Sequence, residues 1–368
     1  MTAGRTDGDS TASDFRFRFQ ALHEMVALAR ERLSRNIWDY LQGGAETETT
    51  LLRNRAALDA LAFRPRVLRD VRSVDASATV LGWHMRLPVC LAPIGSLESF
   101  DPEGGIAACR AASNFGCAMM LSSVSTIPLE DVAAAGTGPR IAMLYKRGDD
   151  TFLDRYVERA AAAGFDAFCL TVDSACYSRR ERDIANRFAK PWRTGEGTDW
   201  QAALSWKDIE RYRRNHSLPL ILKGIATAED ARIAVEHGVD MVYVSNHGGR
   251  QLDHGLGAID LVGEVRDAVA GRCQVAVDGG FCRGTDIVKA MALGADMVGV
   301  GRMLCYGLAA GGTGGVVRML ELLEEEVRIA LRLLGETRYA DLGPSHLRPA
   351  RPVSAPHETS AFPLIDRR

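Results

Sequence analysis

Eight short apolar runs recur from residue 87 onward, and they constrain the fold more than any other feature of the chain. They are LPVCLAP (87–93), AMMLSS (118–123), RIAMLY (140–145), AFCLTVD (167–173), PLILKGI (219–225), MVYVSNH (241–247), QVAVDGG (274–280) and MVGVGR (297–302). None alternates apolar with polar residues, which suits parallel strands covered on both faces. Helix-period segments lie between them. In DTFLDRYVERAAAAG, Phe152, Leu153, Tyr156, Val157 and Ala160 share one face and Gly164 provides the stop. TAEDARIAVEHG opens on the cap Thr227 and stops at Gly238, and GTDIVKAMALG repeats the pattern. Eight strand–helix units predict an α/β protein, a (β/α)8 TIM barrel. The runner-up, an open doubly wound sheet, expects a GxGxxG turn after its first strand, and LAPIGSLESFDPEGG does not fit it.

The remaining chain divides around that barrel. Residues 1–14 are polar and read as a disordered N-terminus without the apolar core of a signal peptide. Residues 15–64 carry two apolar stripes and read as a helical leader covering one end of the barrel. GVVRMLELLEEEVRIALRLLG reads as a long closing helix, so one domain spans 15–346. Residues 347–368 form an extended C-terminal tail whose SAFPLI can dock on its own chain or on a neighbouring subunit. The connection after the fourth strand (174–204) is the longest in the barrel, contains Pro191, Gly195 and Gly197, and reads as a lid.

Charge excludes some partners. Lys plus Arg number 45 and Asp plus Glu 47, so no basic excess draws nucleic acid or an anionic membrane. No apolar run approaches the eighteen or so residues that span a bilayer. The eight cysteines form no CxxC pair and no zinc spacing, which predicts buried free thiols, no metal and a cytoplasmic protein. The partner expected is a small molecule.

In such barrels the reactive groups sit at the C-terminal strand ends. Here polar residues fall at six of them: Tyr145; Thr171 and Asp173, followed by Arg179 and Arg180; Lys223; Ser245, Asn246 and His247, followed by Arg250; Asp278–Gly279–Gly280 with Arg283; and Gly301–Arg302. The last two ends are the usual phosphate position, where glycine amides and a helix N-terminus favour an anion. Lys223 lies inside an apolar strand and needs an anionic neighbour, either a structural carboxylate or a cofactor atom that becomes negative. A carboxylate such as Asp173 beside His247 would stabilise a protonated imidazole and make it a general base.

These residues also carry a resemblance. SNHGGRQ (245–251), with WDYLQGGAE, NRAALDALAFRPRVLRDV, LAPIG, DPEG, LTVDS…SRRERDIANRF, SWKDIE, LKGIATAEDA, DGGFCRGTDIVKAMALGA and GR in order, resembles the FMN-dependent 2-hydroxyacid oxidases and dehydrogenases over nearly the whole chain. The resemblance implies bound FMN and assigns roles. His247 matches the base and Asp173 its carboxylate partner. Arg250 and Tyr40 match the clamp on the substrate carboxylate. Tyr145 and Arg180 match the groups near the substrate hydroxyl, and Lys223 the cation beside the flavin. Pro93, Ile94, Ser123, Met143, Thr171 and Ser245 fall near the flavin ring or ribityl chain. Asp278, Gly279, Gly280, Arg283, Gly301 and Arg302 fall near the ribityl and phosphate.

The implied reaction is oxidation of an L-2-hydroxyacid to the 2-keto acid. Electrons would pass to oxygen, giving hydrogen peroxide, or to another acceptor, and the enzyme would be a homotetramer. Two alternatives stand beside it: a flavin-free barrel isomerase or lyase acting on a phosphorylated substrate, and an inactive flavin-binding homologue. The sequence departs from the family pattern at Met143, where many members have glutamine, and at Cys282, where they have a phosphate-binding arginine. Ile94 and Val124 alter the side-chain pocket, so the substrate is the open point.

Overall fold

The computed structural model describes residues 12–190 and 197–365. Its centre is a closed parallel barrel of β1 (Val89–Leu91), β2 (Ala118–Ser122), β3 (Arg140–Leu144), β4 (Ala167–Thr171), β5 (Leu220–Ile225), β6 (Met241–Val244), β7 (Gln274–Val277) and β8 (Met297–Val300). Each of the eight apolar runs supplies one strand, and β8 closes on β1 through Val298↔Val89 and Val300↔Leu91. Residues on both strand faces are buried, as parallel strands under a helical coat require. The intervening helices start where short polar caps satisfy free amides. Asp149 accepts from Phe152 N ahead of Asp150–Ala162, and Thr227 accepts from Asp230 N ahead of Ala228–Glu236.

The leader forms helices Ala12–Arg18, Leu22–Arg32, Arg35–Gln42 and Thr49–Asp59. Two expectations change here. The first helix begins inside the segment expected to be disordered, of which 1–11 lie outside the described residues. The helical stripe ends at Asp59 rather than 64, because Leu61–Phe63 is a strand paired antiparallel with Leu347–Pro349 of the tail. Pro65 disfavours helical backbone at Arg64, and the tail offers the edge to pair with.

The closing helix is also longer than its apolar pattern. It starts at Arg302, directly after β8, and runs to Leu334 across a kink at Gly311 and Gly312. Phe15 of the leader fills the notch: a Cβ on Gly311 or on Gly314 would lie 2.4 Å from its ring. The tail docks on its own chain. Phe362 is fully buried, edge-on to Tyr306 and His23 at 6.2 and 5.8 Å between ring centroids. All eight cysteines are free, and Cys176 is exposed rather than buried. In the connection after β4, Glu181–Ala185 and Thr198–Ala202 are short helices, while Pro191 and Gly195 lie outside the described residues. Among the described residues no helix is long and apolar enough to cross a membrane.

Candidate active site

The reactive rim is built around the turn after β6. His247, Gly248 and Gly249 take φ of 59°, 66° and 77°, three consecutive left-handed residues. Gly249 has no alternative, since a Cβ there would lie 2.5 Å from Leu51 N and Cα. His247 is held in this disfavoured region by its own amide, which donates to Ser245 Oγ at 3.0 Å. The leader finishes the turn: Ala45 N donates to Gly249 O at 2.8 Å.

This conformation aims the imidazole in two directions. Nδ1 lies 3.0 and 3.3 Å from the Asp173 carboxylate oxygens, and Nε2 lies 3.2 Å from the Tyr145 hydroxyl. Asp173 fits because β5 breaks register at Gly224, where a Cβ would lie 2.6 Å from Asp173 Cβ. Burial pushes the His247 pKa below 6.5, helped by Lys223 and Arg180 and opposed by Asp173. Burial works to raise the Asp173 pKa, but the imidazole contact outweighs it and the carboxylate stays below its usual range. The pair therefore holds a neutral imidazole backed by an anion. Burial, then Asp173, raises the Tyr145 pKa, which keeps that phenol protonated.

On the cavity floor Lys223 Nζ contacts Asp278 Oδ2 at 3.0 Å and donates to Ser245 Oγ at 2.6 Å, while Ser245 Oγ donates to Asp278 Oδ1 at 2.6 Å. Burial works against the charged lysine, yet Asp278 and Asp173 raise its pKa overall. The structural carboxylate and the cavity-facing cation are thus both present.

One cavity collects most of the expected residues: Tyr40, Pro93, Ile94, Tyr145, Arg180, Lys223, His247, Arg250, Asp278, Gly279, Gly280, Gly301 and Arg302 all line it. Arg250 stacks over the Tyr40 ring at 4.8 Å and donates to the carbonyls of Tyr40 and Gly43 at 2.5 and 3.0 Å. Arg302 reaches the carbonyls of Leu41, Gln42, Gly43 and Gly248 at 3.0–3.3 Å. The buried Arg180 Nε has no partner. None of these three guanidiniums meets a carboxylate among the described residues. A cavity walled this way favours an anionic ligand.

Five expected cofactor contacts are placed elsewhere. Arg283 turns outward, donating to Glu326 and to Ala361 O, because the closing helix brings Glu326 against it. The helix that follows also spends its first amides internally: Cys282 and Arg283 N donate to Asp286 at 3.0 Å, and Gly284 N to Glu326 at 2.7 Å. Its N-terminus is therefore not the open anion cradle that its glycines suggest. Ser123 accepts from Tyr145 N and so positions that residue from behind the wall. Ser245 is absorbed into the Lys223–Asp278 contact. Met143 and Thr171 are buried off the cavity wall, with the Thr171 hydroxyl unpartnered.

Sequence reasoning missed other parts of the site. Asn54 of the leader exchanges side-chain hydrogen bonds with Asn246 at 3.0 and 2.7 Å and lies against Gly279 and Gly280. Asp253 accepts from Thr47, Thr49 and Thr50 amides and fastens the leader helix to the β6 turn. Phe100, Arg147, Tyr177 and Lys190 complete the outer wall. Nothing in local spacing joins these residues, which meet only through the barrel.

Fold and site together define a (β/α)8 enzyme that acts on an anionic small molecule. Comparison with known proteins narrows this. A family profile described as FMN-dependent dehydrogenase matches residues 29–349. Glycolate oxidase 1 of Oryza sativa subsp. indica is 42% identical over 88% of this chain and 94% of its own length. Glycolate oxidase of Spinacia oleracea is 40% identical over 89% and 95%. The solved structure of a mandelate oxidase mutant with (S)-mandelic acid superposes with a TM-score of 0.85 at 40% identity, covering 91% of this chain and 100% of that one. This chain belongs to the FMN-dependent 2-hydroxyacid oxidase family, and FMN is its cofactor. The residues present fit that group: Gly279, Gly280 and Gly301 keep the inner wall open, Arg302 meets no carboxylate among the described residues, and Lys223 is charged at the floor.

Proposed function

We propose that the chain oxidises an L-2-hydroxyacid to the 2-keto acid, with these residues in these roles. The supporting observation is a neutral imidazole whose Nε2 side opens on the cavity, backed by Asp173 and flanked by Arg180 and Arg250, which meet no carboxylate among the described residues. Bound FMN supplies the two-electron acceptor. Arg250 and Tyr40 hold the substrate carboxylate and fix Cα in place. Tyr145 and Arg180 stand at the hydroxyl. His247 takes the proton, and Asp173 stabilises the imidazolium that forms. Lys223 maintains a positive charge at the floor, while Arg302, Gly279, Gly280 and Gly301 hold the cofactor.

The acceptor we propose is oxygen, giving hydrogen peroxide, in line with the oxidase names of the relatives. We also propose a cytoplasmic homotetramer. The exposed Leu252 and Leu256 beside the β6 turn support burial of this face by a second copy. One relative is named a peroxisomal (S)-2-hydroxy-acid oxidase, so compartment is a point to measure by localisation of the tagged chain. The decisive experiment is an anaerobic screen of aliphatic and aromatic L-2-hydroxyacids against the flavin absorbance, then a peroxide assay in air. Bleaching by a 2-hydroxyacid and peroxide formation are the expected results; flavin that no such acid bleaches refutes the proposal.

A further inference from the structure

The cavity contains more positive charge than one carboxylate and one cofactor phosphate require. Its lining holds Arg147, Arg180, Lys190, Lys223, Arg250 and Arg302, and a single acid, Asp278. Asp278 pairs with Lys223, and Asp183 behind the wall pairs with Lys190. Among the described residues, four guanidiniums therefore remain without a carboxylate. A phosphate monoester carries up to about two negative charges and a substrate carboxylate one. The surplus cation is Arg147, which stands on the exposed outer part of the cavity and makes no ion pair among the described residues.

The outer wall has a second donor. The Lys190 side chain is only 4% exposed, although nothing in the barrel core demands a lysine there. Its ammonium donates to the Tyr177 hydroxyl at 2.5 Å and to Asp183, and it lies about 5 Å from the Tyr40 and Tyr177 ring centres. An ammonium has three N–H donors, and Tyr177 and Asp183 take two of them. Tyr177 is held over Arg180 at 4.4 Å. The Asp183 and Tyr177 contacts offset the cost of burying this ammonium and fix it at the cavity lining beside the phenol.

We propose that Arg147 and Lys190 form a second anion subsite, and that the substrate is a 2-hydroxy acid bearing a further carboxylate at the end of its side chain. This rests on the 2-hydroxyacid reading above and specifies its substrate class. Arg250 and Tyr40 hold the carboxylate next to the reacting carbon, and the distal carboxylate reaches the outer wall.

The test uses the flavin-loaded full chain and pairs of acids matched in length: L-2-hydroxyglutarate against L-2-hydroxypentanoate, and L-malate against L-2-hydroxybutanoate. Anaerobic flavin reduction gives kcat/KM for each, and perturbation of the oxidised flavin spectrum gives Kd for the corresponding 2-keto acids. The diacid is expected to be favoured at least tenfold in one pair by both measures. Arg147→Met is expected to cut that preference about tenfold, Arg147→Lys to retain part of it, and added salt to weaken it. Arg147 is exposed, so these variants keep the fold. Monoacids that reduce the flavin and bind as well as diacids overturn the subsite, as does an Arg147→Met change that weakens both members of a pair equally. Flavin that stays oxidised with every acid overturns the parent reading instead.

Discussion

Replacing Asp173 by Asn tests whether the carboxylate behind His247 drives catalysis or merely fills space. The side chains have the same shape, so the barrel and the Gly224 notch remain. What is lost is a negative charge 3.0 Å from Nδ1. At an effective dielectric of about 20, a unit charge pair at that distance is worth about 5 kcal/mol. That support acts when the imidazole becomes positive, which is during proton removal. The expected slowing of flavin reduction is therefore between three and four powers of ten. Anaerobic stopped-flow bleaching of the oxidised flavin measures it. The pH profile supplies an independent sign. The base must be neutral, so activity is lost as pH falls through the His247 pKa, which burial already holds below 6.5. Asp173 opposes that lowering, so its removal moves the acid limb to still lower pH. A variant that reduces its flavin within tenfold of the wild-type rate, or whose acid limb moves upward, refutes this role for the pair.

Other contacts set further outcomes. Arg302→Ala removes the cation at the inner wall and the ties to Leu41, Gln42, Gly43 and Gly248, so flavin is expected to dissociate about a hundredfold more readily, read from released flavin fluorescence. Gly249→Ala forces a Cβ to 2.5 Å from the Leu51 backbone at φ 77° and is expected to cost at least about 2 kcal/mol in a denaturation assay. Gly263→Ala, on an open face of the helix Ala258–Val269, is expected to gain about 0.5–1 kcal/mol in the same assay. Burial works to raise the Asp253 pKa, but the bonds from Thr50 and Thr47 hold it well below the usual carboxylate range. Its contribution is thus full above an unfolded pKa of about 3.9 and is lost as pH falls toward its folded value. The stability difference between wild type and Asp253→Asn is expected to be constant above about pH 5 and to shrink in stronger acid.

The barrel was legible because each strand is a contiguous apolar run and helices such as Asp150–Ala162 and Ala228–Glu236 have a capping residue before them and a glycine after. The rim was legible for a related reason: a buried strand that ends in Ser245–Asn246–His247 must place those groups somewhere they are used. What the sequence hid depends on contacts between distant segments. Leu61–Phe63 is three residues long, too short for a periodic signal, and its partner lies at the far end of the chain. Arg283 follows closely on a glycine pair at a phosphate-like position, yet Glu326 of the closing helix pulls it away. Ser123 and Thr171 occupy polar strand ends, but successive side chains of a strand point to opposite faces, so a polar end need not face the cavity. Asn54 and Asp253 carry no local mark of their roles, because the groups they bind are about two hundred residues away.

The left-handed turn at His247 has a consequence for how the chain becomes an enzyme. One side of that turn is fixed by Ala45 and Leu51, made early in synthesis, and another by Arg302, made late. Phe362 then wedges the end of the chain against Tyr306 and His23. The base therefore acquires its full orientation only once Arg302, some two hundred and sixty residues after Ala45, has joined the leader at the turn. A chain cut before Arg302 lacks one wall of the corner that aims the proton acceptor.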